Sequence, residues 1–497
     1  MELKNQAHAM SRRNFIKLSA LSGCALTIAA YLPAFGKNSV QIITGQSGDI
    51  PPSELMCWIS IETSGKVTIM NHRSEMGQGT YQAIPQVIAE ELEVNPGDIT
   101  VQFAAANPKK FGPQPQDGSF SIRGWYLQLL KVGATAREML IEAASKQWNV
   151  PLDECYAENG QIIHRATGRK LNYGQLVNEA AKLIPPQDVK LKNRQDYKII
   201  GKPLSRLDIP LKTDGTATFG MDVRLSGMLY AVVERSARFR GKVRSFDDSA
   251  AKSIPGVRHV FKVERAVFTS TYEGVAVVAE TLWAALQGRK ALIVDWDDDG
   301  FEHVGTEQLY DQKLANLRKP ALSENVEEAF HQATKKLEAF YETPYQSHSC
   351  LEPVNCTAHV QENKIEIWGP IQEANMIQSD LSQRFAIPIE NVTVNMTFLG
   401  GGFGRKAFTD YPHEAALISK EIKGPVQVVW TREDDMTMGP FRPGACYFSK
   451  AGLDSNGKIM AYQSVCASQW IGQAWSPEPY PDPEPLKSNS GHMDGLL

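Results

Sequence analysis

A glycine run followed by two basic residues, late in the chain, has the composition of an anion-binding loop. It spans Leu399–Lys406 and reads LGGGFGRK. The alternating residues 392–398 before it predict a strand, and the apolar spacing in 410–422 after it predicts a helix. A strand, a glycine run and a helix start together expose backbone N–H groups, which suit phosphate or another anion. Glycines also let a ligand lie against the backbone.

The glycine run is compatible with other interpretations of the same pattern. A P-loop requires Gly-Lys-Ser/Thr, but here Arg405 precedes Lys406 and Ala407 follows it, so that match fails. A dinucleotide-binding turn requires a parallel βαβ unit with an acidic residue on the next strand, and neither is evident. A turn that only links a strand to a helix fits the spacing as well.

Two earlier segments place a polar, glycine-containing turn ahead of a predicted helix. Residues 75–80 read EMGQGT before a helix over 81–93, and residues 116–123 read QDGSFSIR before a helix over 125–148. Each is a possible anion site at a helix N-terminus. Each also fits an ordinary helix start.

The composition limits the classes of protein to which the chain can belong. At 497 residues and 42% hydrophobic content we expect about three domains with sizeable cores. The net charge of −4 lacks the excess of basic residues that is typical of nucleic-acid-binding proteins. The seven cysteines include no Cys-x-x-Cys pair, so we expect neither an iron–sulfur cluster nor a zinc ribbon.

The segments outside those three turns also have patterns that predict secondary structure. Residues 57–70 alternate around a Thr-Ser-Gly turn and predict a hairpin. Residues 150–205 are rich in proline and polar residues and are interpreted as connective. Residues 206–297 predict a separate unit, with buried strands over 227–233 and 274–279, a helix over 281–290 and a strand over 291–296.

The N-terminus matches a twin-arginine export signal. Residues 11–17 read SRRNFIK, and residues 18–35 carry no charge. Such a signal is an address for a receptor that exports folded proteins, often with a large cofactor inserted. The uncharged run is also just long enough for a retained membrane anchor, so cleavage and retention both stay open.

The loop Gly-Gly-Gly-Phe-Gly-Arg-Lys resembles the molybdopterin-binding loop of the xanthine oxidase and aldehyde oxidase family. The turns at 75–80 and 116–123 resemble the second pterin-binding region of that family. Their place early in the chain resembles the branch that contains the large (β) chain of isoquinoline 1-oxidoreductase. The resemblance implies an α+β (mixed α/β), multidomain fold with two molybdopterin-binding units and an aldehyde oxidase-type α/β hammerhead domain. The implied boundaries are 1–36 for the signal, 54–200 and 325–470 for the molybdopterin-binding units, 206–300 for the hammerhead and 471–497 for a loose tail.

The resemblance also implies which residues contact the cofactor. These are Gln372, Gly401, Gly402, Phe403, Gly404, Arg405, Gly77, Gln78, Gly79, Gly118, Ser119 and Ser121. In the family the glutamine matching Gln372 hydrogen-bonds an oxo ligand of molybdenum, and the backbone at Phe403 approaches the same metal. By spacing alone Gln372 is an ordinary helix N-terminal glutamine. Asp117 departs from the family, which has a small residue there, and must point away from the pyrophosphate or be neutralised.

The function implied by the resemblance is a molybdenum hydroxylase or dehydrogenase. Its substrate would be an aldehyde or an N-heterocycle, with the oxygen taken from water. The cofactor would be molybdopterin in its cytosine dinucleotide form, with no iron–sulfur cluster, FAD or haem in this chain. Electrons would pass to a separate small [2Fe–2S] subunit, with a cytochrome c as a candidate acceptor. The protein would be exported to the periplasm or to the periplasmic face of the inner membrane.

The catalytic base of the family has no match in this sequence. The family glutamate lies in a Gly-x-Gly-Glu context beyond the point that matches the chain end, and nothing after Gln473 resembles it. Glu352 and Glu414 are the nearest local carboxylates, but neither matches that base. A truncated, non-catalytic remnant that binds a partner or part of the cofactor is therefore the alternative, and a nucleotide-binding module is a third.

Substitutions in the loop separate a cofactor site from a plain turn. We expect Gly402→Val to abolish cofactor retention, because its branches fill ligand volume and forbid a positive φ. Lys406→Ala should have a smaller effect if Lys406 is a flexible surface charge.

Overall fold

The computed structural model describes residues 25–30, 56–186, 188–238, 241–267, 270–297, 305–317 and 324–469. The strands are β1 (Ala25–Ala30), β2 (Met56–Glu62), β3 (Val67–Asn71), β4 (Ile99–Phe103), β5 (Cys155–Glu158), β6 (Gln161–His164), β7 (Lys170–Asn172), β8 (Leu229–Arg235), β9 (Lys242–Asp247), β10 (Val257–Val267), β11 (Ser270–Ala279), β12 (Ile293–Asp297), β13 (Lys335–Thr343), β14 (Asn355–Gln361), β15 (Lys364–Gly369), β16 (Val392–Met396), β17 (Val426–Val429), β18 (Ala445–Leu453) and β19 (Ile459–Ser468). The α-helices are α1 (Thr80–Leu92), α2 (Pro108–Phe111), α3 (Phe120–Arg123), α4 (Tyr126–Trp148), α5 (Tyr173–Ala180), α6 (Asp208–Thr213), α7 (Ser249–Lys252), α8 (Leu282–Ala291), α9 (Thr306–Asn316), α10 (Glu324–Gln332), α11 (Ala374–Phe385), α12 (Asp410–Ile422) and α13 (Arg432–Thr437).

The chain is a mixed α+β, multidomain protein, as predicted, and it divides into two compact units. Among the described residues, the first unit contains 25–30, those of 56–225 and 356–407, and the second contains those of 226–355 and 408–469. The polypeptide therefore leaves the first unit and returns to it. The domain boundaries given above follow the sequence order and stay predictions.

The predicted hairpin at 57–70 is present in the first unit. Strands β2 and β3 are antiparallel, and Ile59 lies opposite Ile69, with both side chains buried. Helices α1 and α4 pack against each other beside this sheet. Gly133 permits their close approach, because a Cβ there would overlap the carbonyl oxygen of Ile88 and lie 2.9 Å from Glu91 Cβ.

Residues 150–205 are more than a connection. They form the antiparallel sheet β5-β6-β7 and helix α5, which has a complete capping box at Asn172 and Gln175. Tyr173, Leu176 and Val177 are buried in the core of the first unit. The interpretation as a linker was wrong because the strands are only three or four residues long, too short to show alternation.

Two pairs of parallel strands decide where the predicted turns lie. Strand β3 pairs in parallel with β4, and β15 pairs in parallel with β16. The carboxyl ends of parallel neighbours meet at one edge of a sheet, where ligands bind in open α/β sheets. Residues 75–80 follow β3, 116–123 follow β4, Gln372 follows β15 and the glycine run follows β16.

The strands and the helix predicted within 227–297 lie in the second unit, whereas residues 206–225 belong to the first. Strands lie in the order β10-β11-β8-β17, and helix α8 packs on β8 and β11. Val232, Val277 and Ala285 are fully buried between them. A separate antiparallel sheet, β13-β18-β19, completes the unit.

Most of the predicted export signal lies outside the described residues. Within its uncharged run, Ala25–Ala30 form strand β1, which pairs antiparallel with β2. Residues 11–17 and the predicted loose tail, 471–497, lie outside the described residues. No helix in the described part of the chain is both long enough and apolar enough to cross a bilayer.

Candidate functional site

Gln372 is the centre of the candidate site in the first unit. Its side chain is 3% exposed and lies between the end of β15 and the start of α11. Its Oε1 accepts a hydrogen bond from the Gly404 N–H at 3.1 Å, and its Nε2 donates to the Gln116 carbonyl at 3.3 Å. One amide therefore joins the glycine run to the segment at 116, which is 256 residues away in sequence.

The orientation of this amide is fixed by its backbone partners. The Gly404 N–H can only donate, so the oxygen of Gln372 must face it. The backbone N–H of Gln372 also donates to the Lys406 carbonyl at 2.9 Å. One of the two hydrogens on Nε2 goes to Gln116, which leaves the second for an oxygen of a bound group.

Gly402 is required for space. A Cβ at this position would lie 2.7 Å from Met76 Sδ and closer still to Oε1 of Gln372. The left-handed residues of the run are instead Gly401, Phe403 and Gly404, with φ values of 91°, 51° and 97°. The expectation that Gly402 needs a positive φ was therefore wrong. A larger side chain at this position is still excluded by volume, because it would overlap Met76 and Gln372 of the same chain.

Phe403 has an unusual backbone and an exposed ring. An aromatic residue with φ of 51° is strained by about 1–3 kcal/mol, and such strain is common where backbone approaches a ligand. The residue is 62% exposed. It therefore offers both backbone and an apolar surface to a ligand.

The two basic residues of the loop are buried. Arg405 is 1% exposed and Lys406 is 0% exposed, and both belong to a short 3₁₀ helix, Arg405–Ala407, that precedes α12. The expectation that Lys406 is a flexible surface charge was wrong. The run also does not open α12 directly, since that helix begins at Asp410 as predicted.

The turn at 75–80 already contains an anion from its own chain. The Glu75 carboxylate is fully buried and accepts from the N–H groups of Gly77 at 2.8 Å, Gly79 at 3.1 Å and Tyr81 at 2.8 Å. Arg206 lies 3.2 Å from the same carboxylate. The start of helix α1 is thus capped internally, and these amides cannot also bind an external anion.

The side chain of Gln78 is also used within the turn. It accepts from the Met76 N–H at 2.7 Å and donates to the Ser74 carbonyl at 3.0 Å. A Cβ added at Gly77 or Gly79 would meet nothing within 4 Å. The turn therefore presents a rigid backbone surface with open space beside it.

The segment at 116–121 has the same character. Gly118 and Ser119 are both left-handed, with φ of 50° and 59°, and both are exposed. Ser121 is buried and donates to Oε1 of Gln116 at 3.0 Å. Gly118 and Ser119 are thus available to a ligand, while the hydroxyl hydrogen of Ser121 holds the segment together.

Two charged groups that sequence reasoning did not assign to the site lie against the residues that precede Gly118. Arg73 is 1% exposed, and its guanidinium donates to the Pro115 carbonyl. Glu373 accepts from the Gln116 N–H at 2.9 Å. Their signal in the sequence was weak: Arg73 lies inside a polar stretch after a buried strand, and Glu373 follows Gln372.

Glu414, one of the two local carboxylates considered as a base, is part of a buried ion pair in the second unit. Its carboxylate is bidentate to Arg235, at 2.6 and 2.7 Å, and accepts from Trp430 Nε1 at 3.2 Å. Glu352 accepts from Asn355 at 3.2 Å. Within the described ranges, no group of three or more His, Cys, Asp or Glu has the arrangement of a metal site.

Two family models match the chain, and both describe a molybdopterin cofactor-binding domain. One covers residues 14–225 and the other covers residues 309–471. The chain is 29% identical to the beta chain of isoquinoline 1-oxidoreductase from Brevundimonas diminuta, over 93% of this chain and 65% of that protein. It is 29% identical to a membrane-bound aldehyde dehydrogenase [pyrroloquinoline-quinone] of Gluconacetobacter polyoxogenes, over 94% of this chain and 61% of that protein.

The chain belongs to the molybdopterin-binding xanthine oxidase family. This confirms the resemblance inferred from the glycine run and the two earlier turns. The chain spans less than two thirds of the length of both relatives. Among solved structures, quinoline 2-oxidoreductase from Pseudomonas putida 86 is 19% identical with a TM-score of 0.43, over 53% of this chain and 39% of that one, and nothing further follows from that likeness.

The residues of the candidate site fit a molybdopterin. Nothing lies within 4 Å of a Cβ built at Gly77 or Gly79, so a ligand can lie against that backbone, and Gly118 and Ser119 are also exposed. Gln372 adds one oriented N–H donor from a buried amide. The site residues predicted from the family stay predictions, but this geometry brings Gln372, Gly404 and the 116 segment into direct contact.

Proposed function

We propose that this chain is the cofactor-binding large subunit of a molybdenum hydroxylase. The substrate would be an aldehyde or an N-heterocycle, and the oxygen added to it would come from water. The observation that carries the proposal is the buried amide of Gln372, which is held between Gly404 and Gln116. The names of the relatives, an isoquinoline oxidoreductase and an aldehyde dehydrogenase, support this choice of substrates.

The amide of Gln372 has the properties of a preorganised donor. When bound, the molybdenum cofactor supplies the redox centre and the oxygen-transfer chemistry. Gln372 directs its second Nε2 hydrogen at an oxygen of that group, and its two backbone partners keep the amide from turning. A fixed donor stabilises developing charge without reorganising during the reaction.

The three turns hold the cofactor in this proposal. Gly77, Gln78 and Gly79 provide a flat, internally bonded surface, and Gly118 with Ser119 provides exposed backbone at the start of α3. Phe403 covers the group with its strained backbone and exposed ring, and excludes water from it. These parts bind and orient; a proton acceptor for the reaction is not assigned to any residue of the described chain.

Partners and location are part of the same proposal. Electrons leave through a separate small [2Fe–2S] subunit, with a cytochrome c as the final acceptor. Relatives named as subunits, such as the xanthine dehydrogenase molybdenum-binding subunit of Escherichia coli O157:H7, 25% identical, support a multi-subunit enzyme. The twin-arginine sequence at 11–17 supports export of the loaded protein to the periplasm or to the periplasmic face of the inner membrane.

Isotope incorporation tests this function. The complex purified with its partners is given candidate aldehydes and N-heterocycles in ¹⁸O-water with an artificial electron acceptor. The proposal expects acceptor reduction that depends on substrate, and one ¹⁸O atom in the product of an N-heterocycle, whose reacting carbon has no oxygen to exchange with water beforehand. Substrate-dependent reduction with no ¹⁸O in the product would overturn hydroxylation. Release of CMP on hydrolysis of the extracted pterin would identify the cytosine dinucleotide form.

A further inference from the structure

Side chains, in place of a regular strand ladder, connect the segment at 114–116 to the start of α11. Glu373 forms a single antiparallel bridge with Pro115, and proline has no N–H to extend a ladder. Instead, the Gln114 N–H donates to Asn375 Oδ1 at 2.7 Å, and Asn375 Nδ2 donates to Gln114 Oε1 at 3.0 Å. The register between these distant segments is thus set by side-chain hydrogen bonds.

Both polar groups of the Gln116 backbone are taken by consecutive side chains. The Gln116 N–H donates to Glu373 Oε1 at 2.9 Å, and its carbonyl accepts from Gln372 Nε2 at 3.3 Å. Gln372 and Glu373 therefore hold the peptide of Gln116 from two sides. Gly118 and Ser119, the exposed residues, come immediately after it in the chain.

The charges around Glu373 explain why an extra carboxyl is tolerated beside an anion site. Arg73 holds the preceding Pro115 carbonyl and favours the ionised form of Asp117, against burial, which raises the Asp117 pKa. Burial, together with the charge of Asp117, raises the pKa of Glu373 to about 8. At neutral pH Glu373 is mostly uncharged, and Arg73 balances Asp117. The positive charge of Arg73 therefore partly offsets the charge of Asp117.

We propose that Glu373 is a positioning residue that sets Gly118 and Ser119 against the cofactor, and that it acts as a hydrogen-bond acceptor whose negative charge is not needed. The proposal deepens the proposed function and rests on it. Because Glu373 acts through Gln116, its removal should affect cofactor retention more than folding. An unsatisfied Gln116 N–H would let the segment move.

Three variants test this role. Glu373→Gln keeps an acceptor oxygen and cannot ionise, whereas Glu373→Ala leaves the Gln116 N–H without its acceptor. Glu366→Ala is a matched control, since Glu366 pairs with Lys364 at 2.9 Å and is 24% exposed in the same unit. Pterin per folded chain and the thermal midpoint are measured for each in the native complex.

We expect Glu373→Gln and Glu366→Ala to retain pterin within about twofold of wild type, and Glu373→Ala to retain at least about tenfold less, equivalent to about 1.4 kcal/mol of binding. Wild-type retention in Glu373→Ala would overturn the role. An equal loss in Glu373→Gln would show that the charge is what matters, and would also overturn it.

Hydrogen exchange of the cofactor-free chain separates this proposal from the proposed function. In Glu373→Ala the amide of Gln116, which donates to Glu373 in wild type, should exchange faster than in wild type, while Glu373→Gln should leave its exchange unchanged. This result is expected even if the wild-type complex contains no pterin, in which case only the proposed function fails. Unchanged exchange in Glu373→Ala would overturn the positioning role whatever the pterin content.

Discussion

Gly402→Ala is the most informative substitution in the glycine run, because it adds a single carbon to the most crowded point of the site. The new Cβ would lie 2.7 Å from Met76 Sδ and closer to Oε1 of Gln372. Both atoms are the far ends of flexible side chains, so they can move while the backbone stays. The backbone of Gly402 is outside the left-handed region, so alanine adds no strain in φ.

The cost follows from what must move. Displacing Gln372 breaks its hydrogen bond with Gly404, which contributes about 0.5–1.5 kcal/mol. An off-rotamer side chain costs about 0.5–1.5 kcal/mol more. A total of about 1–3 kcal/mol lowers the thermal midpoint of a unit this size by on the order of 5 °C. The protein should stay folded, but its amide donor would be misplaced.

Pterin content and thermal midpoint are measured together for Gly402→Ala and for Gly97→Ala. Gly97 lies in the same unit and a Cβ there makes only ordinary contacts of 3.6 Å or more. We expect Gly97→Ala to behave like wild type and Gly402→Ala to lose at least about tenfold in pterin retention, about 1.4 kcal/mol. Wild-type pterin content in folded Gly402→Ala would refute the placement of Gln372 in the site.

Three further substitutions test the charges of the first unit. Glu75→Gln should destabilise the unit by about 2–4 kcal/mol, because a buried carboxylate that accepts several hydrogen bonds is replaced by a neutral amide. Urea unfolding measures this loss, and an unchanged midpoint would contradict the capping of helix α1 by Glu75. The folded pKa of Glu373 is raised to about 8 by burial and by the charge of Asp117. Its contribution to stability is therefore fully present below the unfolded pKa of about 4.3 and is lost as pH rises through about 8. Urea midpoints of wild type and Glu373→Gln should diverge between pH 5 and pH 9, and a constant difference would argue against the shift. Burial raises the pKa of Asp208, but hydrogen bonds from Arg206 and Lys212 lower it by more, so the folded pKa lies below its usual value. The stabilisation by Asp208 is therefore present above the unfolded pKa of about 3.9 and is lost as pH falls through the folded pKa. Asp208→Asn should remove that part of the acid unfolding transition, and an acid unfolding profile identical to wild type would exclude the effect.

The glycine run could be located from the sequence because it follows a strand that was visible as a pattern, whereas Gln372 was assigned through the family resemblance. The strand before the glycine run and helix α12 begin where the spacing predicted, at Val392 and Asp410. Once β15 and β16 are recognised as parallel, the ends of both must lie at one edge. That rule alone places Gln372 beside the glycine run.

Which groups the backbone amides of the turns bind could not be predicted, since this depends on contacts between residues that are distant in sequence. A glycine turn before a helix indicates an anion site, but whether the anion is a ligand or Glu75 depends on how that carboxylate folds back. Likewise, Lys406 has the sequence context of a surface residue and is fully buried. Glu373 and Gln116 are 257 residues apart, and no local pattern encodes such a pairing.

The molybdenum and pterin content of the complex purified from its native source tests the central claim most directly. Molybdenum is measured by mass spectrometry and pterin by fluorescence after oxidation, each relative to the amount of this chain. We predict one molybdenum and one pterin per chain in wild type, and a parallel loss of both in Gly402→Ala. A folded complex with its partners present, but with neither molybdenum nor pterin, would contradict the assignment of Gln372 and the three turns to a cofactor site.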